Sequence, residues 1–191
     1  MINHEEVKTP ERTVYADDQT ESVGLLLRLR LPWLLIGLIL GLGTTFIVSR
    51  FEALIAKEVS IAFFIPIIVY VSGAVGSQTM TIYVRNLTKR RTRFSAYLLK
   101  ELLLGIILGI VFGALISVFA LMWLESKDIA LAVGLGMAAS VSTATIVGLI
   151  IPNILKYEHQ DPAIGAGPFT TVVLDIVSLL IYFAVAQAIM L

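Results

Sequence analysis

The chain contains no cysteine in its 191 residues. Disulfide bonds and thiolate-held metals are therefore excluded, and thiol usage says nothing about compartment. Charge is scarce as well. Asp, Glu, Lys and Arg make up 15% of the residues against 58% hydrophobic ones, a balance foreign to soluble globular domains and usual in proteins that cross a membrane several times. Acids and bases cancel to a formal net charge of zero, which says little by itself; no nucleic-acid partner is expected. The opening MINHEEVKTPERTVYADDQTES has no basic n-region, apolar h-region or small-residue cleavage site, and no cleaved signal peptide is expected. The apolar stretches hold no HExxH motif, Ser–His pairing or multi-acid cluster, so the chain is not expected to be an enzyme.

What the sequence has instead is long runs free of Asp, Glu, Lys and Arg. They cover 31 to 49, 59 to 84, 102 to 124 and 129 to 155, and a fifth from 162 to 191 is broken only by Asp175. A helix needs about 20 residues to cross roughly 30 Å of hydrocarbon. The expected fold is an all-α membrane protein with five transmembrane helices. Eleven of the 14 basic residues precede span one, separate spans two and three, or follow span four, leaving only Arg50, Lys57 and Lys127 on the other side. That bias predicts a cytoplasmic N-terminus and, with five spans, an outside C-terminus.

Residues 1–30 read as an acidic cytoplasmic tail and 31–191 as a five-helix pore domain. The first 21 residues hold six acids against two bases and too few large apolar groups to offset ordering entropy, so they are expected to be disordered. The segment SVGLLLRLRLPW (22 to 33) reads either as a short interfacial helix with Trp33 at the headgroups or as the start of span one. Short links, 50 to 58 and the four residues ESKD, predict that spans one and two, and spans three and four, are antiparallel neighbours. Five basic residues between Arg85 and Arg93 are expected to meet anionic lipid headgroups.

Asp175 is the anomaly. A charge at the centre of a spanning helix costs about 2.5 to 3.5 kcal/mol on insertion scales. At 1.5 Å per residue it lies about 20 Å from Pro162 and about 24 Å from Leu191, near the bilayer midplane. Pro168, Thr171, Asp175, Ser178 and Tyr182 follow steps of three and four and share one helical face. No Lys, Arg or His lies within any span to pair with the acid. Two readings follow: an ion pathway, which intramembrane acids mark by default, or hydrogen-bonded structural glue between helices.

Span two places Pro66 inside the run and then the small, polar cluster Ser72, Gly73, Ala74, Gly76, Ser77, Gln78 and Thr79. Spans interrupted by Gly and Pro free backbone carbonyls and point to a binding site, so spans two and five are expected to line the pathway, with Gly73 and Ser77 beside Thr171, Asp175 and Ser178. Elsewhere the bland reading is the expectation. Gly105, Gly109 and Gly113 on span three and Gly37 and Gly41 on span one read as packing faces. The hydroxyls of Ser140, Ser142, Thr143 and Thr145 read as bonded to their own helix, and Glu101 as an acid at a helix start. In the cluster Glu158, His159 and Asp161, the Asp161–Pro162 step reads as an N-cap before metal capture. One acid per chain suggests a homodimer: a two-fold axis would bring two copies of Asp175 together, and two charges balance one divalent ion. Mg²⁺ fits so few ligands, because it keeps several waters and takes one or two carboxylates.

SGAVGSQTMTIYVRNL (Ser72 to Leu87), KELLLGIILGIVFG (Lys100 to Gly113) and DPAIGAGPFTTVVLDIVSLLIYFAVA (Asp161 to Ala186) resemble the transmembrane domain of the MgtE family of Mg²⁺ channels. The resemblance implies a homodimer of five-helix subunits in a bacterial plasma (inner) membrane, with helices two and five lining the pore. It implies a hydrated Mg²⁺ at Asp175, with Asp161 in the family's DPA motif. Mn²⁺, Co²⁺ or other divalents are further candidate ions of the pathway reading. Ala74 and Thr145 depart from the pattern, standing where the family usually has Asn. The family's cytoplasmic N and CBS domains have no room in a tail of 30 residues, so either a shortened chain or a short form gated another way is expected. The rival functions are a proton-coupled transporter of a divalent cation or small solute, and a non-conducting membrane subunit.

Overall fold

The computed structural model describes residues 22–89, 94–157 and 162–191. Residues 1–21 of the acidic tail, the basic residues Arg90, Arg91 and Arg93, and the cluster Glu158, His159 and Asp161 lie outside the described residues. Among the described residues seven helices follow one another: α1 (Val23–Arg50), α2 (Glu52–Lys57), α3 (Ser60–Phe63), α4 (Ile65–Lys89), α5 (Phe94–Leu124), α6 (Lys127–Tyr157) and α7 (Pro162–Met190). No strand occurs among the described residues. Among the described residues five helical segments are long and apolar enough to cross a membrane, α3 and α4 together making the second.

The centre of the bundle is α6, which packs against α5, α7 and α4. Its inward positions are small or hydroxylated, so backbones approach closely. Gly134 lies against Ser117 and Gly113 of α5, Gly136 against Tyr182 of α7, and Gly148 against Gly76 and Thr79 of α4. The glycines Gly105, Gly109 and Gly113 face α6 as expected and are buried. Spans three and four are neighbours, joined by a tight turn in which Glu125 takes φ 53° and Ser126 caps α6 by accepting from the Ile129 N–H at 3.4 Å.

Spans one and two are not packed together in this way. The link between them folds into α2 and α3, and α1 packs on α7 instead. Phe51, which caps the end of α1, stacks on Phe183 of α7 with centroids 4.5 Å apart. Lys57 on α2 reaches the far end of α7, donating to the Met190 carbonyl at 2.7 Å, where a cation meets the open carbonyls of a helix C-terminus. The segment from 22 to 33 is continuous with span one: Ser22 caps α1 and the helix runs through Pro32. No residue of α1 is buried, and among the described residues nothing lies within 4 Å of a Cβ placed at Gly41, so that half of the Gly37–Gly41 face packs against no neighbour there.

Pro66 also sits elsewhere than the run suggested. The second span breaks at Phe64, and Pro66 falls in the first turn of α4, where its missing N–H interrupts no helical bond. The break opens the ladder at the end of α3, and the Ile61 carbonyl accepts from the Tyr182 hydroxyl at 2.7 Å. Tyr182 is accordingly fully buried.

Candidate functional site

Between α4 and α7 lies a groove of about 250 Å³. From α4 come Val69, Tyr70, Gly73, Ala74 and Ser77, and from α7 come Thr171 and Asp175. The α4 residues recur every three to four positions and form one helical stripe, while Thr171 and Asp175 are one turn apart. Small side chains at Gly73 and Ala74 leave the space, and no atom approaches within 4 Å of a Cβ built on Gly73. Asp175 is half-buried there. Among the described residues it is the only acid lining the groove, and it makes no hydrogen bond or ion pair with any of them.

Thr171 donates its hydroxyl to the Gly167 carbonyl at 3.0 Å. That bond uses its proton and leaves the oxygen free to accept. The groove therefore presents one carboxylate, hydroxyl oxygens and open space. Among the described residues no three His, Cys, Asp or Glu come together, so the polar wall suits a cation that keeps its waters better than one stripped into a protein cage.

The five-residue stripe on span five is divided by the structure. Thr171 and Asp175 line the groove, whereas Ser178 is 1% exposed and packed in the interior, its carbonyl accepting from the Ser140 hydroxyl at 3.2 Å. Tyr182 is spent on the Ile61 carbonyl. Of the other expected site residues, Gly73 and Ser77 stand at the groove with Asp175, and Asp161 lies outside the described residues. Periodicity says which residues share a face of α7; it is silent on where α6 crosses that face and covers its second half.

Tyr70 was not singled out by the sequence reading, yet it lines the groove and is 70% exposed. Its spacing of three and four from Gly73 and Ala74 was the available signal. Glu101 was read as a helix-start acid, but α5 begins at Phe94, so Glu101 lies two turns inside. Its Oε2 accepts from the Thr79 hydroxyl of α4 at 2.8 Å, and its carbonyl accepts from Thr145 of α6 at 2.9 Å. On α6, Thr143 bonds back to its own helix and Ser140 reaches across to the Ser178 carbonyl, while Ser142 and Thr145 do both.

A bundle of five apolar helices with a lone carboxylate in a mid-helix groove defines an integral membrane protein with a polar site inside its spans. The family model for MgtE, described as a divalent cation transporter, matches residues 65–185, and the chain belongs to that family. It is 34% identical over 162 residues to the magnesium transporter MgtE of Bacillus subtilis and 32% identical over 164 residues to that of Enterococcus faecalis. The matches cover 83% and 84% of this chain but 36% of each relative. The Thermus thermophilus magnesium transporter MgtE is 29% identical over 161 residues. The chain thus spans little more than a third of the length of the curated relatives it matches.

Proposed function

We propose that the chain conducts Mg²⁺ down its electrochemical gradient into the cytoplasm, as a homodimer in a bacterial plasma membrane whose two grooves face a common axis. The observation that carries this reading is Asp175, an acid with no partner among the described residues, in an open groove at the middle of a spanning helix. Kinship with proteins named magnesium transporters supports the choice of ion. In the dimer two carboxylates meet one divalent charge, and the ion's retained waters bridge to the oxygens of Thr171 and Ser77. The positive-inside bias gives the N-terminus to the cytoplasm. A membrane potential then contributes about 2.3 kcal/mol per charge per 100 mV, and about twice that for a divalent ion, so inward flow needs no coupling ion. Mn²⁺ and Co²⁺, similar in charge and coordination, are proposed as further permeant ions.

The test is flux into liposomes holding the purified protein alone. Mg²⁺ entry driven by potential, without a pH gradient, is expected. A strict need for a pH gradient would favour proton coupling at Asp175, and no flux at all would favour a non-conducting subunit. The groove makes a second expectation. Cysteines at Ala74 and Thr171 should react with a small aqueous thiol reagent, whereas one at buried Ser178 should react at least about tenfold more slowly. Equal labelling at all three would mean that the α7 stripe is wet along its whole length.

A further inference from the structure

We propose that Glu101 is a positioning residue for ion passage: its carboxylate fixes the rotation of α4 and with it the wall that α4 gives the groove. The proposal rests on the reading of the groove as the ion path. Two faces of α4 are in use. Tyr70, Gly73, Ala74 and Ser77 line the groove, while Ile68, Ser72, Val75, Thr79 and Tyr83 are buried in the bundle. At about 100° per residue, Thr79 stands on the side of the helix away from Ser77.

Where α4 meets α6 and α7, glycine lets the helices approach closely: a Cβ at Gly148 would run into the Gly76 carbonyl oxygen, and one at Gly76 would come within 2.6 Å of a Leu174 methyl carbon and 3.1 Å of the Ala144 carbonyl oxygen. Ile68, Val75 and Tyr83 pack into the bundle and hold α4 against it, and directional hydrogen bonds add an angular constraint to that packing. Ser72, on the same buried face, has no hydrogen-bond partner among the described residues.

Thr79 has one, and it departs from the habit of its neighbours. Thr81, Ser142, Thr143 and Thr171 donate to the carbonyl four residues earlier in their own helices. Thr79 instead reaches across to the Glu101 carboxylate at 2.8 Å, an acceptor stronger than a backbone carbonyl. Glu101 is itself tied to α6 through Thr145, so one residue joins α4, α5 and α6. Farther along α4, Tyr83 donates to Asn153 at 3.0 Å and Asn86 to Tyr97 at 2.6 Å. Both lie one to two turns farther from the groove than Thr79, whose bond to Glu101 ties α4 to a neighbouring helix two residues from Ser77.

The variants T79V, which keeps the shape and removes the hydroxyl, and T79S, which keeps the hydroxyl, separate this role from a general loss of packing. In liposomes T79V is expected to raise the Mg²⁺ concentration for half-maximal flux roughly tenfold while changing the maximal rate less than about twofold, with T79S close to wild type. The T79V/E101A pair should be no worse than T79V alone, because both changes remove the same bond. A merely structural bond would lower folded yield and maximal rate together and leave half-saturation where it was. A second readout needs no flux: the chain has no cysteine, so S77C alone reports on the groove wall. Adding T79V should change its labelling rate at least about threefold at equal folded yield. If T79V does not fold, E101Q, which keeps an acceptor oxygen, and E101A are compared in the same way, and equal rates overturn the proposal. Unchanged half-saturation together with unchanged labelling overturns it too. A wild-type protein that passes no Mg²⁺ would sink the transport reading, while the S77C rates would still decide what Glu101 does.

Discussion

Replacing Asp175 by Asn is expected to abolish most Mg²⁺ entry while leaving a folded, dimeric protein. The substitution keeps volume and hydrogen-bonding reach and removes one negative charge per subunit. No bond within the described chain is lost, because the carboxylate makes none there, so the usual route by which a buried substitution unfolds a protein is closed. An uncompensated carboxylate inside the bilayer is a cost. Removing it should therefore leave thermal stability in metal-free buffer unchanged or raised. Added Mg²⁺ tells the other half. A ligand at a hundred times its Kd stabilises the state that binds it by about 2.7 kcal/mol; the Asn variant should lose much of whatever stabilisation Mg²⁺ gives the wild type, provided the groove dominates binding. Flux into liposomes and a thermal scan with and without Mg²⁺ check both halves. An Asn variant that unfolds or falls to monomer, while its surviving dimers still conduct, would show Asp175 to be structural glue.

The five spans, the α5 glycine face and the pairing of Thr171 with Asp175 were legible in the sequence because each depends on local period or length alone. What was not legible has a common cause. Inside a membrane both lipid and protein interior are apolar, so hydrophobicity does not separate a buried face from a lipid-facing one. α5 is the most apolar span and mostly exposed, whereas α6, richer in Gly, Ser and Thr, is the most buried. A reader of the sequence sees that Ser178 and Asp175 share a face, and has no signal for the crossing by α6 that covers one and spares the other. The same blindness hid the partner of α1. Loop length predicted α4, but the link spent its residues on α2 and α3, and α7 was the neighbour within reach. Glu101 was misread because the charge-free run begins at 102 while the helix begins at Phe94; helices extend past the hydrocarbon, and hydropathy marks only the part inside it.

The seam between α5 and α6 should be the part of the bundle least tolerant of added volume, and Gly109 its most sensitive point. A Cβ there would stand 2.5 Å from both the Ala138 carbonyl oxygen and the Ser142 hydroxyl oxygen. The first of these is backbone in the middle of a long helix and cannot swing aside as a side-chain end can. A Cβ on Gly113 would stand 2.6 Å from the Gly134 carbonyl oxygen, and one on Gly134 2.7 Å from the Ser117 Cβ, so the two helices lie close over several turns. Ser142 adds a bond to the Gly105 carbonyl at 3.1 Å. With lipid outside as apolar as the interior, close packing and such bonds hold these helices together, and prising them apart forfeits both. G109A is therefore expected to cost about 1 to 3 kcal/mol, and G109L more. The measurement is the thermal midpoint in detergent, against G43A as control. Gly43 is also helical, but nothing lies within 4 Å of a Cβ placed on it, and there the swap should be neutral or mildly stabilising through helix propensity, by up to about 1 kcal/mol. Equal shifts for G109A and G43A would mean that the seam relaxes around a methyl group and that the glycines are not what sets the α5–α6 distance.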